Sequence, residues 1–175
     1  YKATQILERG NGDCKDKAIL FVTMMREAGL KAYVVLVKSQ LEGRGHPDLT
    51  LPLIRHFNHA IAYVPATDEH PELWLDLTAE KYTLSEMPPE SVRGAVAFVV
   101  GEDMAELKTI PHSKTENTQH LEATVDVGAD GKARFHIKAS VTGMAASYLR
   151  TVMEEQGRRK ERIENSLNEK IANFR

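Results

Sequence analysis

The stretch Gly10-Asn11-Gly12-Asp13-Cys14-Lys15-Asp16-Lys17-Ala18 decides how this chain folds, because it brings the backbone through a tight turn and into a helix. Gly10 and Gly12 allow the turn. Asp13 is a natural N-cap, which puts Cys14 in the first helical turn. From there Ala18, Phe21, Val22, Met25 and Ala28 recur at spacings of three and four, the mark of one buried helical face, and Gly29 ends the run. Residues 31–37 follow at once as Lys-Ala-Tyr-Val-Val-Leu-Val, β-branched and aromatic, and predict a strand. The expectation is a helix-to-strand unit with a cysteine at its mouth.

Further along, residues 39–56 carry Gly43, Gly45, Pro47 and Pro52 among polar positions and predict a long surface loop. Residues 60–64 and 73–75 predict two strands joined by the polar, proline-bounded Pro65-Ala66-Thr67-Asp68-Glu69-His70-Pro71, and residues 95–100 a third buried strand. After Pro111 the chain turns polar, and a second module is expected from about residue 118. There Leu121, Ala123, Val125 and Val127 alternate, Asp130-Gly131 marks a hairpin turn, and Ala133, Phe135, Ile137 and Ala139 resume the alternation. Residues 144–175 change to helical spacing, with Tyr148, Leu149, Val152 and Met153 early and Ile163, Leu167 and Ile171 later among dense charges.

The bulk properties agree with a folded domain. The 175 residues are 42% hydrophobic, enough for a real core. Lysine and arginine number 23 against 25 acidic residues, so no nucleic acid partner is expected. One cysteine forms no intramolecular disulfide and supplies no zinc-finger set. No apolar stretch approaches the roughly 20 residues that span a bilayer, so no membrane contact is expected of this segment. The first residue is Tyr1 and no signal-peptide pattern follows, so the chain reads as part of something longer.

The chemistry centres on Cys14. A helix N-terminus stabilises a thiolate through unpaired N–H groups and a partial positive charge. The free Cys14 N–H is also placed to donate to an oxyanion formed at Cys14 itself. A lone cysteine is equally read as a small buried hydrophobe, although Asp13 and Lys15 beside it point to partial exposure. His59 stands at the first position of a predicted strand and Asp76 at the end of the next. Paired ends would let the carboxylate orient the imidazole and the imidazole take the thiol proton. Each also has a plain structural reading, as a satisfied core histidine and a strand-end cap. Cys14, His56 and His59 offer soft and imidazole donors for a metal, but the three-residue spacing of the histidines suits a helix where the residues read as strand, so the rings diverge. No metal and no cofactor is expected.

The same stretches carry a resemblance. Residues 10–18, Leu30-Lys31-Ala32-Tyr33-Val34-Val35-Leu36-Val37, Phe57-Asn58-His59-Ala60-Ile61-Ala62 and Trp74-Leu75-Asp76-Leu77-Thr78 resemble the bacterial transglutaminase-like superfamily, with Cys, His and Asp in the same order. The resemblance implies an α+β, papain-like transglutaminase core over residues 1–111, in which an N-terminal catalytic helix packs on an antiparallel sheet. A β-hairpin and a C-terminal helix over 118–175 would then belong to a C-terminal domain. It implies Cys14 as nucleophile, His59 as general base and Asp76 as the orienting acid, with Asp13, Asp16, Asn58 and Trp74 as possible supporting residues. The core is expected to be truncated at its N-terminus, which leaves Gln5 and Asn11 as local candidates for a second oxyanion donor.

The activity implied is acyl transfer from a peptide or amide through a Cys14 thioester, either to water, as in a cysteine protease or amidase, or to an amine. The competing expectation is a non-catalytic binding or scaffolding domain of a larger envelope protein. A peptide or protein substrate and a periplasmic or otherwise extracytoplasmic location follow from the resemblance. Asp16 and Lys17 are expected on a solvated or ion-paired helix face, with Asp16 able to tether the loop and Lys15 to favour the thiolate. Trp74 is expected in the core or a cleft wall. The charged closing helix is expected to pack on a neighbouring domain or to self-associate through Ile163, Leu167 and Ile171.

Overall fold

A computed structural model describes residues 2–39, 50–51, 53–112 and 116–169. The chain divides into two compact units, Tyr1–Lys114 and Thr115–Arg175.

In the first unit a short helix α1 (Ala3–Arg9) precedes α2 (Cys14–Glu27) and packs against it. Gly10 closes α1 at φ 65°, the left-handed position where its N–H reaches back to the carbonyls of Ile6 and Leu7. Asp13 caps α2 by accepting from the Asp16 N–H at 3.1 Å. Helix α2 leads into β1 (Tyr33–Val37), which is followed by β2 (His59–Val64), β3 (Leu73–Leu75), β4 (Val96–Val100) and β5 (Ala105–Thr109). These form one antiparallel sheet in the order β3-β2-β1-β4-β5.

The sheet is covered on both faces. On one, Phe21, Val22 and Met25 of α2 meet Val34, Ala62, Val64 and Leu75. On the other, Val35, Ile61, Tyr63, Trp74 and Val99 pack under Val92 and Ile110. Val35, Ile61 and Val99 have no exposed surface, and each contributes about 1.5–3 kcal/mol by leaving water. Strand β2 is buried on both faces, which explains its unbroken apolar run after His59.

Strand β5 has no counterpart in the expectations. It lies at the sheet edge, and Leu107 is its one large apolar residue, set between Glu106 and Lys108. An edge strand with charge on it has no alternation to read. The predicted loop over 39–56 lies largely outside the described residues; its end forms a 3-10 turn at Ile54–His56.

The second unit holds a hairpin of β6 (Gln119–Val127) and β7 (Ala133–Val141). The register sets Leu121 opposite Ala139, Ala123 opposite Ile137 and Val125 opposite Phe135, so the alternating apolar residues share one face, and that face is exposed. The helical pattern beyond it resolves into two helices, α3 (Met144–Val152) and α4 (Arg159–Asn168), separated by a 3-10 turn at Gln156–Arg158. Gly157 weakens the helix there. The side chain of Arg162 donates to the Val152 carbonyl and that of Arg159 to the Met153 carbonyl, which satisfies the end of α3. Ile163 is exposed on α4, and Ile171 lies outside the described residues.

Candidate active site

Helix α2 presents Cys14 half-buried as its first residue. By position its N–H has no acceptor within the helix. Strand β2 presents His59 as its first residue. Strands β2 and β3 pair with Ala62 opposite Leu75, so continuing that register brings Asp76 opposite Ile61. His59 is two residues from Ile61 on the same side of the strand, which makes His59 and Asp76 diagonal neighbours. Their side chains close the gap: His59 Nε2 and Asp76 Oδ2 are 2.8 Å apart, with 16% and 5% of the side chains exposed.

Asp76 is held from its other side too. Its Oδ1 accepts from the Thr78 N–H at 2.9 Å and from the Thr78 Oγ1 hydroxyl at 2.6 Å. Burial pushes the carboxyl up, but the bonds with His59 and with the Thr78 hydroxyl and N–H outweigh it and hold Asp76 below the usual carboxylate range. His59 moves the opposite way, raised to about 9. The bond to Asp76 is the main cause; burial opposes it, and the Asp76 charge and hydrogen bonding with Cys14 add to it. The imidazole is therefore charged at neutral pH, bonded to a carboxylate and coupled to the thiol. Such a group can stabilise a thiolate and hand a proton to a leaving amine.

The other residues singled out from sequence fall into distinct places. Asp13 caps α2 and pairs with the Lys15 ammonium. Of the two expectations for Asp16, solvated or ion-paired, the structure shows the second, with the side chain buried: its Oδ2 bonds Arg9 Nη2 at 3.1 Å, so it ties α1 to the start of α2. Its close approach to the Gly12 backbone leaves no room for a Cβ there, since one would lie 2.6 Å from Asp16 Cβ. Lys17 pairs with Glu80 at 2.7 Å. Asn58 Oδ1 accepts from the Ser39 N–H at 2.7 Å, and the Asn58 N–H donates to the Val37 carbonyl, which pins the entry to β2. Trp74 is buried with its ring 4.5 Å from that of Tyr63, a core position.

Gln5 Oε1 accepts from the Lys2 N–H at the start of α1, and Asn11 is exposed in the loop. His56 Nε2 donates to the Leu51 carbonyl at 2.8 Å, and among the described residues no three metal-ligating side chains come together. Thr78 and Arg9 are the contributors that sequence reading missed. Asp76-Leu77-Thr78 does carry a signal, since an Asp accepting from the N–H two residues on is an Asx turn. Arg9 carries none, because its partner lies across a helix break.

Residues 1–76 match the family model described as the transglutaminase-like superfamily. Over this segment the chain is similar to that superfamily. The match includes Cys14 and His59 and ends on Asp76, and it leaves the rest of the 175 residues uncovered. The comparisons with curated proteins and with solved structures gave no match. The transglutaminase-like segment and the sheet it enters form a mixed α+β core, with α2 laid on antiparallel strands. No helix among the described residues is long and apolar enough to cross a membrane.

Proposed function

We propose that this chain is a thiol enzyme that transfers the acyl group of a peptide or amide through a thioester on Cys14. The observation that carries the reading is the 2.8 Å bond between His59 and a buried, doubly anchored Asp76, in a histidine that also couples to Cys14 at a helix start. The Cys14 thiolate attacks the carbonyl carbon, and the oxyanion that forms meets the free Cys14 N–H. Collapse breaks the C–N bond, the His59 imidazolium protonates the departing amine, and the thioester remains. Water or an amine then attacks the thioester, gives its proton to His59, and expels the Cys14 thiolate. Asp76 keeps the imidazole in one orientation and offsets its charge throughout.

The test is a peptide library incubated with the wild-type chain and with Cys14→Ala, each with and without an added amine, and read by mass spectrometry. Cleavage, or deamidation of a side-chain amide, marks transfer to water, a mass gain equal to the amine less ammonia or a peptide amine marks transfer to the amine, and all of these disappear in Cys14→Ala. Wild type that leaves every peptide intact would support a fold retained for binding and defeat the enzymatic reading.

A further inference from the structure

An apolar cavity of about 340 Å³ opens on the sheet, lined in part by His56 and Phe57 of the segment that leads into His59, and neither Cys14 nor the His59–Asp76 pair is among its lining residues. Its place follows from the register. Ala60 pairs with Leu36, Leu36 with Phe98 and Phe98 with Leu107, so these four form one row across β2, β1, β4 and β5. Ala60 and Leu36 share parity with Ala62 and Val34, which pack against α2. The row therefore lies on the sheet face that carries α2, and it starts at the residue after His59.

Helix α2 covers β1 and β2. Beyond it the row is walled by the segment that runs up to His59, through Leu53, Ile54 and Phe57, with the Phe57 ring stacked on Phe98 at 6.4 Å. Ile54 is 73% exposed and Leu107 52%, large apolar surfaces left at the rim. The polar lining residue, His56, already donates to the Leu51 carbonyl. Among the described residues no charged side chain lines the cavity, so a charged group entering it would lose its hydration without a partner from them.

We infer that this cavity is a specificity subsite that takes a bulky, uncharged apolar side chain, of leucine or phenylalanine type, from the acyl-donor peptide. The inference rests on the acyl-transfer reading for the identity of that donor. The volume lies at the low end of ligand pockets, about 300–1,000 Å³, which suits one or two side chains. Strands lie about 4.8 Å apart, so β4 and β5 are about 10–14 Å from β2, the span of three or four residues of extended peptide at about 3.3 Å each. The apolar side chain thus sits three or four residues from the carbonyl that Cys14 attacks.

Bromoacetyl peptides that alkylate Cys14 test this, with Leu, Phe, Gly or Glu placed one to five residues from the bromoacetyl group and iodoacetamide as the reference. Leu or Phe at the third or fourth position is expected to speed labelling about tenfold over Gly or Glu. Leu107→Asp and Ile54→Asp change exposed rim residues; both should abolish that advantage and leave the iodoacetamide rate unchanged. Equal rates for all four residues, or an advantage that survives both variants, overturns the subsite while leaving the thiol chemistry standing. Slow labelling by iodoacetamide itself counts against the thiol reading, and the subsite is then read in Cys14→Ala by NMR titration with the unmodified peptides. Shifts at Leu36, Phe98 and Leu107 with the Leu peptide and none with the Glu peptide uphold it, and no shift with either overturns it.

Discussion

Replacing Asp76 with Asn tests the electrostatic centre of the site most directly. In the wild-type chain His59 titrates at about 9 instead of 6.5, a difference of about 3 kcal/mol between the charged and neutral forms. The first cause is the bond to Asp76, and burial alone would push the imidazole the other way. Asp76→Asn keeps the side-chain shape and removes the charge, so His59 should titrate at or below 6.5. The sign of the stability effect follows. The folded-state value lies above the unfolded one, so the stabilisation is complete below pH 6.5 and is lost as pH rises through about 9. Wild type should therefore lose up to about 3 kcal/mol between pH 6.5 and 9, while Asp76→Asn should be nearly flat over that window. The assay is a pH titration of the histidine Cε1–Hε1 resonances, with His59 assigned by its disappearance in His59→Gln, alongside urea unfolding at pH 6.5 and 9.5. A His59 midpoint near 6.5 in wild type, or one unmoved by Asp76→Asn, would refute the reasoning.

Three further substitutions probe the surroundings. Thr78→Val removes the hydroxyl bonded to Asp76 Oδ1 at 2.6 Å, a loss of about 1 kcal/mol. Because Asp76 is held below its usual value, its stabilisation is present at neutral pH and lost as pH falls, so Thr78→Val should unfold at higher pH than wild type during acid titration. Fluorescence of Trp74, the single tryptophan, reads this, and an unchanged acid midpoint would argue against the anchoring role. Gly12→Ala forces a Cβ to 2.6 Å from Asp16 Cβ and should cost about 1–3 kcal/mol, seen as a thermal midpoint lowered by several degrees in circular dichroism. Arg9→Met leaves the buried Asp16 carboxylate without this partner; with Arg9 40% exposed the loss should be near 1–2 kcal/mol in urea unfolding. Adding Asp16→Asn should recover part of it, and strict additivity of the two changes would show that the pair is not coupled.

Where local chemistry decides a feature, the sequence was enough to read it. The start of α2 is written in Gly12-Asp13-Cys14, because an N-cap acts within three residues, and the strands at residues 33–37, 59–64 and 73–75 are written in apolar, β-branched runs. Cys14, His59 and Asp76 could be marked as candidates by their places at a helix start and at strand ends, each with a structural reading beside it, and their roles came from the resemblance. Their association could not, because it depends on the β2–β3 register, which no residue of either strand specifies alone.

Burial was the other blind spot. Asp16 reads as a solvated or ion-paired charge, and its burial shows only once α1 packs on α2 and sets Arg9 against it. Leu107 reads as an isolated apolar residue until β5 joins β4 and lines it up with Phe98 and Leu36. By itself the sequence determined the helix mouth that holds Cys14, the strand ends that hold His59 and Asp76, and the residue types that point to acyl-transfer chemistry. The 2.8 Å His59–Asp76 bond, the raised imidazole, the Thr78 anchor and the apolar row beside the site were decided only by tertiary structure. Caps and strand runs arise from neighbours along the chain, whereas register, burial and pKa arise from groups that only the folded sheet brings together.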